Sequence, residues 1–263
     1  MKLSKFVLAF LLIVTFDNTV FAQQANIATD INGDGTVKVL AFGDSITYGV
    51  GDGTLPGDDV ETPPITNGTG GYPARIESLF GVLVDNKGFP GEEIAIGGVS
   101  RFVRVVSSSN ADLVVILEGV NDSIYRLDSN TYSRVLQKMI NAATALGKTP
   151  VLVTLQAPCC NHAGRGPFTY SYSGVVRELA YLNDLRFADL DRAWRTTCRN
   201  KEECELYNLP DGLHPNTVGY DVMAQTILSS FLGIDIFAPG GSTLLEGALG
   251  LPAGSVIVKP GDL

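Results

Sequence analysis

Five short apolar runs, at residues 37–42, 82–86, 113–117, 150–155 and 187–190, are separated by segments long enough to hold a helix. Strands buried on both faces read as continuous apolar runs, and their alternation with helices implies a parallel sheet covered on either side. Helical spacing predicts helices at 73–80, 92–106, 129–146 and 174–185. A last helix follows Pro215, with Val218, Val222, Met223, Ile227, Leu228 and Phe231 on its apolar stripe. The expected fold is therefore α/β: a three-layer α/β/α sandwich around a central, mainly parallel five-stranded sheet. In such sheets ligands bind beyond the carboxyl ends of the strands.

The first 22 residues pair Lys2 and Lys5 with an apolar stretch from Phe6 to Phe16 and small or apolar residues at Val20 and Ala22. That is the pattern of a secretory signal cleaved after Ala22, and its apolar core is too short to span a bilayer. Removing Lys2, Lys5 and Asp17 leaves 17 basic and 27 acidic residues, a formal charge of −10 for a mature chain of about 240 residues. Such a charge repels nucleic acid and anionic lipid surfaces and favours a neutral substrate. The expected location is secreted or periplasmic, with no nucleic-acid partner and no stable membrane insertion after cleavage; the oligomeric state stays open. The expected organisation is a signal peptide at 1–22, a polar segment at 23–36, one α/β domain at 37–235 and a Gly/Pro-rich extension at 236–263. That extension carries the clusters Leu244-Leu245 and Val256-Ile257-Val258, which fit either extra packing strands or a tail.

Cys159, Cys160, Cys198 and Cys204 are the cysteines of the chain. In an exported protein they read as disulfides, with three pairings open. Neighbouring cysteines bridge each other poorly because disulfides favour Cα separations of about 5.5 Å. Cys159 and Cys160 are therefore expected to reach separately toward Cys198 and Cys204. A zinc site using His162 matches no common finger spacing. The stretch from Asp30 to Gly35 opens like a calcium loop, but the twelfth position, where a bidentate Glu is required, is Ala41. A tight acidic turn is expected there, and no metal or organic cofactor. The segment from Tyr48 to Gly71 has no period and follows the first strand closely, so it is expected either to border a substrate cleft or to be an insertion away from it.

Gly43-Asp44-Ser45 ends the first apolar run, and Asp211-Gly212-Leu213-His214 precedes the last helix. A serine hydroxyl attacks well only when a base takes its proton, and histidine is the usual base near neutral pH. With two histidines in the chain, His214 is the candidate base, because Asp211 three residues earlier can accept from its Nδ1 and leave Nε2 for Ser45. His162 is expected to be structural or solvated. The bland alternative for Ser45 is a helix cap. A G-x-S-x-G elbow is excluded, since the residue two after Ser45 is Thr47. Two further glycine-bearing segments, Asn86-Lys87-Gly88-Phe89-Pro90-Gly91 and Glu118-Gly119-Val120-Asn121-Asp122, also follow apolar runs.

These four blocks, in this order, resemble the SGNH or GDSL hydrolase family over residues 37 to 232. The resemblance implies a flavodoxin-like fold and an oxyanion hole made by the Ser45 N–H, the Gly91 N–H and the Asn121 side-chain amide. Gly91, five residues after Asn86, ranks ahead of Gly88 for that role, and Asp122 is expected to hold its loop. The function expected is a secreted serine esterase acting on a small-molecule or polysaccharide ester, an acetyl group on carbohydrate being one possibility. A lysophospholipase or thioesterase, or a non-catalytic carbohydrate-binding protein on the same scaffold, is the alternative.

Overall fold

A computed structural model describes residues 26–52 and 70–258. The expected signal segment and most of the Tyr48 to Gly71 loop lie outside the described residues. Among those described, no helix is long and apolar enough to cross a membrane.

The apolar runs form β1 (Lys38–Gly43), β2 (Leu83–Gly88), β3 (Leu113–Leu117), β4 (Thr149–Val153) and β5 (Arg186–Ala188). They make one parallel sheet in the order β2-β1-β3-β4-β5. β3 is buried at every residue, as its unbroken Leu-Val-Val-Ile-Leu run requires. The helices are α1 (Ser45–Tyr48), α2 (Gly71–Phe80), α3 (Val99–Ser108), α4 (Ser129–Ala145), α5 (Gly166–Leu182), α6 (Leu190–Thr197), α7 (Thr217–Leu232) and α8 (Gly241–Leu249). α3, α4 and α5 pack in sequence along one side of the sheet, while α2 packs on α7 and α7 reaches β5 and α6. The expected three-layer parallel architecture is what forms. Because β1 has neighbours on both sides, the chain leaves in opposite directions after β1 and β3, and the crevice between their carboxyl ends is where this topology places a ligand.

Several elements differ from expectation. The helix expected at 92–106 is a π-helical turn at Ile94–Gly98 leading into α3. α5 begins eight residues earlier than the apolar period suggested. Its first turns carry buried Thr169, Tyr172 and Ser173 instead of aliphatic residues, and tertiary hydrogen bonds hold them: Tyr172 Oη donates to the Leu127 carbonyl at 2.6 Å, and Ser173 Oγ accepts from the Leu155 N–H at 3.0 Å. α6 starts at Leu190, where a strand was expected to end; Asp189 caps it and Trp194 anchors it.

Residues 234–258 form neither strands nor a loose tail. α8 buries Leu245, and the segment after it returns with Val256 and Val258 buried. Glu246 accepts from the Gly254 and Val256 N–H groups at 2.8 and 3.0 Å, and Gln225 of α7 accepts from the Ile257 N–H at 2.8 Å. The polar N-terminal segment is tied down likewise: buried Asp112 accepts from the N–H groups of Ile31, Asn32 and Lys38. Asp30 closes the expected acidic turn on the Gly33 and Gly35 amides.

The cysteine pairing corrects the expectation. Cys198 and Cys204 have their sulfurs in bonding contact at 1.92 Å, with Cα atoms 5.2 Å apart. The short excursion from α6 returns on itself and so brings together two ends that were expected to reach Cys159 and Cys160. Those two sit on a turn facing Gly212 instead.

The turn after β1 tolerates almost no added volume. A Cβ at Gly43 would lie 2.1 Å from Thr47 Oγ1 and 2.3 Å from the Leu117 carbonyl oxygen. Gly43→Ala is expected to destabilise the fold by ~4 kcal/mol, at the upper end of point-mutant effects, measured as a shift of the urea midpoint. A loss below ~1 kcal/mol would show that the turn yields.

Candidate functional site

Asp44 caps α1, its carboxylate accepting from the Ile46 N–H at 2.9 Å. Ser45 thereby becomes the first helical residue, whose own N–H has no partner within the helix. The side chain of buried Asn86, on β2, braces the turn from beneath: its Nδ2 donates to the Thr47 carbonyl at 2.9 Å and its Oδ1 accepts from the Gly88 N–H at 2.9 Å. The bland cap role thus falls to Asp44, and Ser45 is left facing the crevice.

The 211–214 turn arrives there from the far end of the chain. His214 Nε2 lies 3.0 Å from Ser45 Oγ, and His214 Nδ1 lies 3.1 Å from Asp211 Oδ2. The same carboxylate oxygen accepts from the Leu213 and His214 N–H groups at 3.1 and 2.7 Å. Asn208 Nδ2 donates to the carbonyls of Gly51 and Pro215 at 3.1 and 3.0 Å, binding this turn to the segment after α1. Burial pushes the Asp211 carboxyl up, but the His214 ring and the two amides outweigh it and hold the group well below the usual carboxylate range. Asp211 therefore stays ionised beside the ring, the arrangement that lets a serine hydroxyl pass its proton to Nε2.

Gly91 adopts φ +78 and its N–H meets no backbone or side-chain acceptor among the described residues. Asn121 Nδ2 donates to the carbonyl of Glu92 at 2.9 Å and lies 3.5 Å from Asp44 Oδ2. It is therefore wedged between the neighbours of Gly91 and of Ser45. Asp122 holds the loop, accepting from the Ile94 N–H at 2.9 Å and the Ala95 N–H at 3.3 Å. All five residues singled out in the sequence thus converge at the carboxyl ends of β1, β2 and β3.

The contacts of other residues around the crevice could not be read from the sequence. His162 lies against the far side of Asp211, its Nδ1 2.7 Å from the backbone carbonyl and 3.3 Å from Oδ1. Arg101 clamps the crevice floor: Nε donates to Glu92 Oε1 at 2.6 Å, Nη2 bonds to Glu92 Oε2, and Nη1 donates to the Lys87 carbonyl at 2.9 Å. Its guanidinium stands 4.0 Å over the Phe42 ring. Glu118, 2% exposed, has both carboxyl oxygens without a hydrogen-bond partner among the described residues, and burial followed by the nearby charges of Asp44 and Glu92 raises it well above the usual range. Glu118 directly follows β3, so its place at a strand end was readable; that it is buried was not. Among the described residues, the set at metal-ligand spacing is Cys198, Cys204 and Glu205, where the two sulfurs are already joined.

Burial also raises the carboxyl of Asp44 to about 7. Its folded-state value thus lies above the unfolded one, so its burial costs nothing below about pH 4, removes stability as the pH rises from there to about 7, and leaves that loss constant above. Asp44→Asn keeps the capping oxygen and removes the charge. It is expected to be more stable than the parent at pH 8 and nearly equal to it at pH 4 in urea unfolding. An equal gap at both pH values would contradict the assigned burial effect.

Known proteins offer comparisons for this arrangement. The profile of the GDSL-like lipase/acylhydrolase family matches residues 41–222, a span that takes in all five site residues. The lipase/acylhydrolase from Enterococcus faecalis is 26% identical with a TM-score of 0.60, covering 75% of this chain and 96% of its own. An acetylxylan esterase from Geobacillus stearothermophilus is 20% identical with a TM-score of 0.54 over 74% of this chain and 94% of its own. A GDSL-like lipase from Bacteroides thetaiotaomicron is 19% identical with a TM-score of 0.55 over 74% and 87%. Among curated proteins none matches.

Proposed function

The chain belongs to the GDSL-like lipase/acylhydrolase family, and from that premise we propose that it is an exported serine esterase removing acyl groups, acetyl above all, from neutral carbohydrate. The observation that carries the reading is the hydrogen-bonded chain from Ser45 Oγ through the His214 ring to Asp211.

In the proposed reaction Ser45 Oγ attacks the ester carbonyl while His214 Nε2 takes the hydroxyl proton, and Asp211 stabilises the imidazolium so formed. Negative charge gathers on the carbonyl oxygen, which the N–H groups of Ser45 and Gly91 and the Asn121 amide receive. Collapse expels the alcohol, protonated by His214, and leaves an acyl-serine. Water then attacks with His214 again as base, releasing the acid and restoring the hydroxyl. Asn121 Nδ2 is held by the Glu92 carbonyl at 2.9 Å and only by a long contact of 3.5 Å to Asp44 Oδ2, which the oxyanion would replace as its second acceptor.

Two features support a neutral carbohydrate ester. The acidic chain repels anionic lipid surfaces. Tyr125, four residues beyond Asn121 in the chain, is 69% exposed and offers a flat apolar face of the kind on which a pyranose ring can lie. The leading pattern of Lys2, Lys5 and the apolar core supports export, which would bring the enzyme to polysaccharide.

Ser45→Ala and His214→Ala are each expected to lower kcat on p-nitrophenyl acetate by at least about 10³-fold. Asn121→Ala should lower it by about 10² to 10³-fold with KM little changed, as for loss of one oxyanion donor. Near-parental turnover by purified, folded Ser45→Ala would overturn the mechanism. For substrate class, Tyr125→Ala should raise KM on acetylated xylan while leaving p-nitrophenyl acetate unaffected. Faster turnover of lysophospholipid than of acetylated xylan would overturn the carbohydrate assignment.

A further inference from the structure

Cys159 and Cys160 occupy an unusual turn directly behind the 211–214 segment. Their sulfurs lie 2.8 Å apart, well inside the contact distance of two unbonded sulfurs. Cys160 adopts φ +54, a left-handed conformation that a side chain other than glycine, Asn or Asp seldom takes. With Cys198 and Cys204 joined to each other, neither partner once expected for this pair is available to it. Two free thiols would be expected to relax such a turn, separating the sulfurs and returning Cys160 to negative φ. A covalent bond between them accounts for both departures at once.

We propose that Cys159 and Cys160 close reversibly into a vicinal disulfide, and that the closed ring holds the turn against which the Asp211 loop rests. The chemistry is thiol–disulfide exchange with an external disulfide, such as oxidised glutathione or a protein disulfide. Cys160, partly exposed, loses its proton and attacks one sulfur of the oxidant, forming a mixed disulfide and releasing one thiolate. Cys159 then loses its proton and attacks the Cys160 sulfur, releasing the second thiolate; the protein pair is oxidised by two electrons and the external disulfide is reduced to two thiols. Burial pushes the Cys159 thiol up to about 11 and so leaves little thiolate near neutral pH; the 2.8 Å separation of the two sulfurs is what favours this second, intramolecular attack. Neighbouring Cα atoms stand about 3.8 Å apart, below the usual disulfide span, so the ring is strained and opens under mild reductant, unlike a bridge of ordinary geometry.

The link to the site is steric and hydrogen-bonded. The Cys159 N–H donates to the Gly212 carbonyl at 2.9 Å, and the Asn161 N–H donates to the Pro210 carbonyl at 3.3 Å. A Cβ on Gly212 would lie 2.4 Å from the Cys159 carbonyl oxygen and 2.9 Å from its sulfur, so the two turns are in close contact. His162, whose N–H donates to the Cys159 carbonyl at 2.8 Å, touches Asp211 directly. Opening the ring therefore loosens the support of Asp211 from both sides.

The test is alkylation with iodoacetamide and peptide mapping of the full chain, first after incubation with oxidised glutathione and then after brief mild reduction. The expected map shows the peptide holding Cys159 and Cys160 unalkylated and two hydrogens light when oxidised, then doubly alkylated after mild reduction, while Cys198 and Cys204 stay joined. Double alkylation of the oxidised protein, or a bridge from either residue to Cys198 or Cys204, would overturn the proposal. The second arm rests on the esterase reading: reduction should lower Tm by several degrees and slow p-nitrophenyl acetate turnover severalfold, and Cys160→Ser should behave as the reduced form with or without reductant. Unchanged Tm and turnover across the redox cycle would overturn the coupling to Asp211. A chain inactive in both states would count against the esterase reading, and the thiol map and Tm would still decide the bridge.

Discussion

Parallel pairing of β1 with β2 on one side and β3 on the other is the constraint from which the rest follows. It brings Gly43 opposite Gly88 and Leu117, so the turns that leave these three strands rise from one edge at one height. A serine, a glycine amide and an asparagine side chain can then surround a single small volume without any of them travelling far. The closeness of the turns also explains the glycines: a Cβ on Gly88 would lie 2.1 Å from the Tyr48 nitrogen. Only the histidine must be delivered from elsewhere, and α7 does this by packing on α2 with Asn216 capping its first turn.

The electrostatics of the crevice divide into two opposite treatments of carboxyl groups. Asp211 is surrounded by N–H groups and an imidazole and stays ionised where a charge is needed. Asp44 and Glu118 are buried close to Glu92 and pushed toward the neutral form, with Arg101 as the cation that spans Glu92 and the strand ends. An uncompensated anion beneath a site where an oxyanion develops would oppose the reaction, so protonation of these groups suits the chemistry proposed.

Much of this was legible from the sequence because it depends on local pattern. The Leu113–Leu117 strand is an unbroken apolar run and has the bounds expected of it. Ser45 stood out because it ends an apolar run, and His214 because Asp211 lies three residues before it; both signals are local and survive folding. What escaped notice depends on contacts between distant segments. The first turns of α5 carry no aliphatic stripe and are held by Tyr172 and Ser173 reaching other loops. His162 meets Asp211 only after the cysteine turn has folded against Gly212. The cysteine pairing was misjudged because loop closure between Cys198 and Cys204, six residues apart, depends on where α6 ends, and α6 itself was missed.

The account stands or falls on whether the hydroxyl of Ser45 is activated by His214. Labelling the intact chain with a fluorophosphonate probe, followed by peptide mapping, asks this without knowledge of the natural substrate. The predicted result is a single adduct on Ser45, absent in Ser45→Ala and formed far more slowly in His214→Ala. Failure to label the folded protein, or labelling at the same rate when His214 is replaced, would contradict it.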